Sequence, residues 1–187
     1  PGHGFPIFGE KRIKKALETT SKFLRSIEDQ TLKLMNQGKS LNQVLHEVEI
    51  PNDLMELPWL TPIYDDPQFL IRMVWRRYGG WWDGEYDRLL PAPRKEEALA
   101  WVELSNGIDN IILKALEHLD KGNLKVAAQL IETAFHADNK NDQMHDARAK
   151  IYREFSLKQS SSMGRNILNH ASMASAQGKR DLAQTED

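Results

Sequence analysis

The chain has 187 residues, with 25 Lys or Arg against 27 Asp or Glu, for a formal charge of −2. That length holds one domain, or one domain with an appendage, and can bury a core. The balanced charge leaves no electrostatic footprint for nucleic acid, the lack of cysteine excludes disulfides, thiolate nucleophiles and cysteine-type zinc sites, and no apolar run approaches the roughly 20 residues of a membrane-spanning helix.

A cysteine-free chain fits either redox compartment, and a soluble, cytoplasmic protein is the favoured expectation. The first residue is Pro1 rather than Met, which reads as a start that is not the native one. Residues 1–9, Pro-Gly-His-Gly-Phe-Pro-Ile-Phe-Gly, have the look of a metal-ligand loop. Gly2 and Gly4 permit close backbone approach around His3, and Pro6 stiffens the exit. One histidine cannot hold zinc, which takes about four ligands, so from these residues alone a mobile terminal loop is the simpler reading.

Residues 11–37 are expected to form one long helix of about 40 Å. Its apolar stripe is read as Ile13, Leu17, Leu24, Ile27 and Leu34, with Thr20 and Thr31 filling the remaining turns. Gly38 should end it in a left-handed cap. Ser40 can cap a short second helix carrying Leu41, Val44, Leu45 and Val48. Four prolines, Pro51, Pro58, Pro62 and Pro67, then break regular structure, while Trp59, Leu60 and Tyr64 should keep that segment packed on the surface. A helix after Pro67 should run to about Tyr78. From Pro93 onward the pattern is helical again, with breaks at Asn106-Gly107, at Gly122 and in the polar turn after Ala137, and a last helix is expected from about Ser162 to Gln177. The tail should fray. Small residues Ala127, Ala128, Ala134, Ala147 and Ala149 allow close helix approach. The fold class expected is therefore all-α, an array of antiparallel helix pairs resembling tetratricopeptide repeats, headed by one long helix.

The candidate chemistry is sparse. His46, His118, His136, His145 and His170 form no metal-ligand pair and read as surface or partly buried helix histidines. Glu96-Glu97, Asp65-Asp66 and Glu117 with Asp120 read as helix-start or solvated charge. The serines 160–162 fit a helix start better than a nucleophile. No phosphate loop appears, because Tyr-Gly-Gly-Trp-Trp-Asp-Gly at 78–84 lacks the Lys-Ser/Thr that follows such a loop. That stretch is nonetheless the most unusual in the chain. Its aromatic residues make either a core hub or an interface anchor, and sequence does not choose between them.

Three stretches together resemble the helical dimerisation domain of alkylsulfatases of the metallo-β-lactamase superfamily. They are the helix ending in Asn36-Gln37-Gly38, the Tyr-x-Gly-Trp-x-Asp-Gly motif matched by Tyr78, Gly80, Trp81, Asp83 and Gly84, and the helix pairs from 93 to 157. The resemblance covers almost the whole chain. It implies that residues 1–10 are the tail end of a catalytic domain, 11–180 the helical dimerisation domain and 181–187 a frayed tail. It implies that His3 is a zinc ligand of a binuclear site. The other ligands, in a His-x-His-x-Asp-His motif and further positions, would lie upstream of Pro1, in a missing N-terminal catalytic domain. The chain alone is then not catalytic and is not expected to hold zinc. Its partners would be that catalytic domain and a second copy of itself. Trp75, Tyr78, Trp81, Trp82, Asp83 and Gly84 are the interface or packing anchors. Glu85-Tyr86 stands where family members carry Asn-Pro, and 63–69 lacks their Ser-His-Asn, which marks a divergent subgroup. The alternative from a different class is a free-standing repeat-type adaptor that binds a partner peptide.

Overall fold

A computed structural model describes residues 5–177. Residues 1–4, which include the candidate ligand His3, and the tail expected to fray lie outside the described residues. Among the described residues every regular element is a helix and no strand occurs, as the periodicity predicts. The chain divides into two compact units. One holds the residues up to Pro91 together with Ser160–Ser162, and the other holds the rest.

The first unit contains α1 (Glu10–Asn36), α2 (Leu41–Glu47), α3 (Asn52–Met55), α4 (Pro67–Gly79) and a single 3₁₀ turn at Tyr86–Arg88. The predicted punctuation is realised bond by bond. Gly38 takes φ +77°, the Lys39 amide donates to the Leu34 carbonyl and the Gly38 amide to the Met35 carbonyl, a Schellman ending. Ser40 and Gln43 form a reciprocal capping box that starts α2. Asp66 caps α4 through the Gln68 amide, with Pro67 at the first helical position. The proline-broken stretch holds the one-turn α3, which the sequence did not announce. It packs as expected elsewhere: Leu60 is buried and the Trp59 indole donates to the Thr19 hydroxyl at 2.9 Å.

The core of this unit gathers Phe23 and Ile27 of α1, Val44 and Leu45 of α2, Leu54, and Ile71 and Trp75 of α4. One expectation is corrected here. The buried face of α1 is Ala16, Phe23, Ile27 and Thr31, not the full stripe read from the sequence, and Ile13, Leu17 and Leu24 are exposed. Phe23, the largest apolar residue of the helix, is buried in the cluster that also holds Ile71 and Trp75 of α4. The early part of the predicted stripe therefore lies beside the contact rather than in it.

The second unit contains α5 (Arg94–Leu104), α6 (Ile108–Asp120), α7 (Leu124–Ala137), α8 (Asp142–Leu157) and α9 (Ser162–Ala176). Short turns at Asn106-Gly107 and Gly122 force neighbours to run antiparallel, and α6 packs along α7 and α7 along α8. The core alternates large and small side chains. Ile111, Ile112 and Leu119 of α6 meet Ala127, Ile131 and Ala134 of α7, with Met144, Ala147 and Ile151 of α8. Of the alanines expected to allow close helix approach, Ala127, Ala128, Ala134 and Ala147 are buried, Ala149 is only partly so, and Ala115 of α6 joins them with no exposure.

Candidate functional site

The stretch at 78–84 forms a corner built onto the first unit. At its base the buried Trp75 donates its indole N–H to the Trp82 carbonyl at 2.9 Å. Gly79 leaves room for two neighbours: a Cβ there would lie 2.8 Å from the Met35 methyl and 3.5 Å from the Trp75 ring. Gly80 takes φ +83° and turns the chain out of α4. The Asp83 carbonyl then accepts the Leu41 amide at 2.7 Å, one of the orphan donors at the start of α2. The Asp83 carboxylate accepts the Glu85 amide at 3.1 Å and lies 3.6 Å from Arg88. Gly84 rests on Ser40, the cap of the same helix. Its φ is +84°, and a Cβ there would sit 3.1 Å from the Ser40 Cα.

Adjacent tryptophans have opposite fates in this corner. The Trp82 indole donates to the Glu85 carbonyl at 3.1 Å, and its ring lies 5.8 Å from that of Tyr86. Trp81 points outward and is 79% exposed. Tyr78 is also exposed and donates its hydroxyl to the Glu28 carboxylate of α1 at 2.9 Å. That hydrogen bond, with the charge of Glu28 behind it, holds the phenol above its ordinary range. So Trp75, Trp82, Asp83 and Gly84 are joined to the unit's own framework, while Trp81 and Tyr78 stand on its surface. Beside the corner lies a polar cleft of about 270 Å³ that carries Arg72 and Arg88 against Asp83, Glu85 and Asp87.

The second unit contains a polar network that sequence reasoning missed. Arg148, 2% exposed, donates Nε–H to Glu132 at 2.7 Å. Its Nη1 donates to the Ser175 hydroxyl at 2.9 Å and to the Ala171 carbonyl at 3.2 Å. The guanidinium also lies 4.4 Å from the Phe135 ring centroid and 5.1 Å from that of Tyr152. His145, read from the sequence as a surface or partly buried helix histidine, is buried. Its Nε2 is 2.9 Å from the Asn139 carbonyl, which can only accept, so Nε2 carries the proton. Nδ1 then accepts from the Ser175 hydroxyl at 3.1 Å. This serine and histidine are a structural pair that ties α9 to α8, since Ser175 is itself buried. Next to Glu132, a cleft of about 260 Å³ opens between α5 and α7 and is walled by Trp101 and Tyr152. His136 on its edge has its pKa lowered, chiefly by burial.

Among the described residues no group of three or more His, Asp or Glu is arranged to hold a metal ion. Among them no helix is long and apolar enough to cross a membrane.

A family model described as alkyl sulfatase dimerisation matches residues 40–178. The chain is similar to a linear primary-alkylsulfatase of a Pseudomonas species, at 29% identity over 154 residues, 82% of this chain and 29% of that protein. It is similar to an alkyl/aryl-sulfatase of Saccharomyces cerevisiae, at 28% identity over 177 residues, 94% of this chain and 27% of that protein. Its backbone is similar to that of the stereoselective inverting sec-alkylsulfatase Pisa1 from Pseudomonas sp., with a TM-score of 0.88 and 25% identity, covering 95% of this chain and 28% of that one. The chain therefore spans less than a third of the length of these relatives.

Proposed function

The chain belongs to the alkyl sulfatase dimerisation family, and on that premise we propose that it is the part of a zinc-dependent, alkylsulfatase-like hydrolase that pairs subunits and supports the substrate pocket. The observation that carries this is the family match across residues 40–178. The small share of each relative that the chain spans supports placing the sulfate-ester chemistry in another part of the parent. Residues 1–10 would then be the end of the catalytic domain, 11–180 the dimerisation domain and 181–187 a tail, with His3 as this chain's one zinc ligand. Bound zinc supplies such a site with a water whose pKa falls to about 7. On this reading the remaining ligands come from the catalytic domain, and the chain alone is inactive.

The test is the intact mass and peptide map of the native source protein. The expected result is a parent about three times as long as this chain, as the relatives are, with a His-x-His-x-Asp-His peptide joined upstream of Pro1 and sulfate-ester hydrolysis lost on chelation. A native product bounded by these 187 residues would overturn the proposal and move the adaptor reading forward.

A further inference from the structure

We infer that the cleft between α5 and α7 is a binding site for a small zwitterion with an apolar body, the chemistry of a free aromatic α-amino acid. The cleft lies wholly within the second unit, and its occupancy does not depend on the zinc chemistry or the subunit pairing proposed above.

The first support is charge. Arg94, Glu97, Ala98 and Trp101 line one side of the cleft, at the spacing of one face of α5. Glu132 lines it from α7, but its carboxylate is committed to Arg148 at 2.7 Å, and those two charges offset each other. Among the described residues, neither Arg94 nor Glu97 has a side-chain hydrogen bond or an ion pair. Both fields reach the cleft, since they act on His136 with opposite sign. Burial favours the neutral form of that imidazole, so it adds no charge near neutral pH. One cation and one anion therefore stay open. A ligand with a single charge is attracted by one and repelled by the other, whereas a ligand with both gains from both. The ammonium and carboxylate of an α-amino acid share one carbon. They can meet residues one helical turn apart, whose Cβ atoms are about 5–6 Å from each other.

The second is the room and its walls. The cleft holds about 260 Å³, slightly below the ~300–1,000 Å³ of drug-sized pockets, which suits a metabolite-sized ligand. Ala98 and Ala128 line it and are both buried, and their small side chains leave the gap between the helices open. Trp101 keeps 53% of its surface exposed, and Tyr152 of α8 supplies a second aromatic wall. An aromatic side chain placed against them leaves water and gains ring contacts.

The third is rigidity. The Arg148 guanidinium lies 5.1 Å from the Tyr152 ring centroid and holds Glu132 by a hydrogen bond, so the α7 and α8 side is in place before anything binds. A site already in its bound shape loses little freedom on association. Largely apolar walls with a few placed polar groups are the usual make-up of a small-molecule site. The buried network thus has a second use here, offsetting the charge of Glu132 and bracing the wall opposite α5.

The experiment is a titration of the 187-residue chain with L-phenylalanine, followed by the NMR signal of the Trp101 indole N–H, which Trp101→Phe assigns. Saturable binding with a Kd of about 1 mM is expected for so small a ligand. L-Phenylalaninamide, which lacks the carboxylate, and N-acetyl-L-phenylalanine, which lacks the ammonium, should each bind about 3- to 10-fold more weakly. L-Alanine, which lacks the ring, should bind at least about 10-fold more weakly. Arg94→Gln should weaken L-phenylalanine by about 3- to 10-fold and leave the amide nearly unchanged. Glu97→Gln should weaken L-phenylalanine similarly and leave the N-acetyl form nearly unchanged. Both side chains are exposed, so both variants should fold, which circular dichroism checks. No saturable shift up to about 20 mM overturns the site. Equal affinity for the three phenylalanine forms overturns it too, as does indifference to both variants. Dependence on only one of the two charges overturns the zwitterion in favour of a singly charged ligand.

Discussion

The corner at 78–85 and the junction of α7, α8 and α9 both hold chain segments in place with polar bonds, but they use different materials. The corner relies on backbone. Two carbonyls, of Trp82 and Asp83, take an indole and a helix-start amide, and Gly84 is needed because its neighbour is the Ser40 backbone. The junction relies on side chains. One buried guanidinium reaches Glu132, Ser175 and Ala171, and His145 completes the set. α9 brings small and polar residues to this junction, Ser172, Ala174 and Ser175, and the Ser172 hydroxyl donates to the Ala149 carbonyl at 2.8 Å. The contrast teaches where each region is vulnerable. A corner held chiefly by backbone is most sensitive to shape. A junction held by a buried charge is sensitive to loss of a single partner.

The largest effect should come from the junction. Arg148→Met keeps much of the volume and removes the charge, leaving Glu132, Ser175 and the Ala171 carbonyl each short of a donor. Removing one member of a buried pair costs about 3–5 kcal/mol, and the lower end applies because Glu132 retains some solvent contact. Urea denaturation should show it. Adding Glu132→Gln to Arg148→Met should recover part of the loss, because the carboxylate is no longer left without its cation. If Arg148→Met were nearly neutral, the guanidinium would not be what fastens α9.

The corner should respond to shape by a smaller amount, and two glycines separate the causes. Gly38 and Gly84 both adopt a left-handed φ, but a Cβ at Gly38 meets open space and one at Gly84 meets Ser40. Gly38→Ala should cost about 1 kcal/mol, the conformational penalty alone. Gly84→Ala should cost about 2 kcal/mol, since the backbone must also move off Ser40 and disturb the capping box. Equal losses in the urea midpoints would mean that the close approach to Ser40 carries no energy.

Much of the fold was legible because its boundaries are punctuated by residues with a single job. Gly38, Ser40, Pro67, Asn106-Gly107 and Gly122 mark the ends where helices stop or start. The face of α1 was less legible. A regular apolar spacing marks a stripe able to bury, and here it is shared between this unit's core and an exposed surface. Only the position of α4 shows that Phe23 belongs to the core. The opposite fates of Trp81 and Trp82 could not be read either, since neighbours of one residue type carry the same signal and the turn at Gly80 decides which side each faces. The junction left no local trace. Nothing near His145 or Arg148 in the sequence marks a buried polar site, and their partner Ser175 lies 30 and 27 positions away. Pairings over that distance have no periodicity to betray them.

The smallest effect concerns pH, and it tests whether the cleft beside the junction is electrostatically coupled to it. The pKa of His136 is lowered, first by burial and then by Arg94 and Arg148, against the opposing pull of Glu132 and Glu97. A lowered folded value means that, as pH falls through the ordinary imidazole pKa of about 6.5, the unfolded chain binds a proton that the folded chain refuses. Stability from this group is therefore complete above about pH 7. It declines as pH drops through that ordinary value and levels off only once the folded imidazole also protonates. Thermal midpoints between about pH 7 and pH 5 should fall more steeply for the wild-type chain than for His136→Gln, which has no proton to gain. Arg148→Met sharpens the point. Removing that nearby cation should move the folded imidazole back toward its ordinary value and flatten the wild-type slope, even though the same substitution lowers stability at every pH. A slope unchanged by Arg148→Met would show that the junction's charge does not reach the cleft.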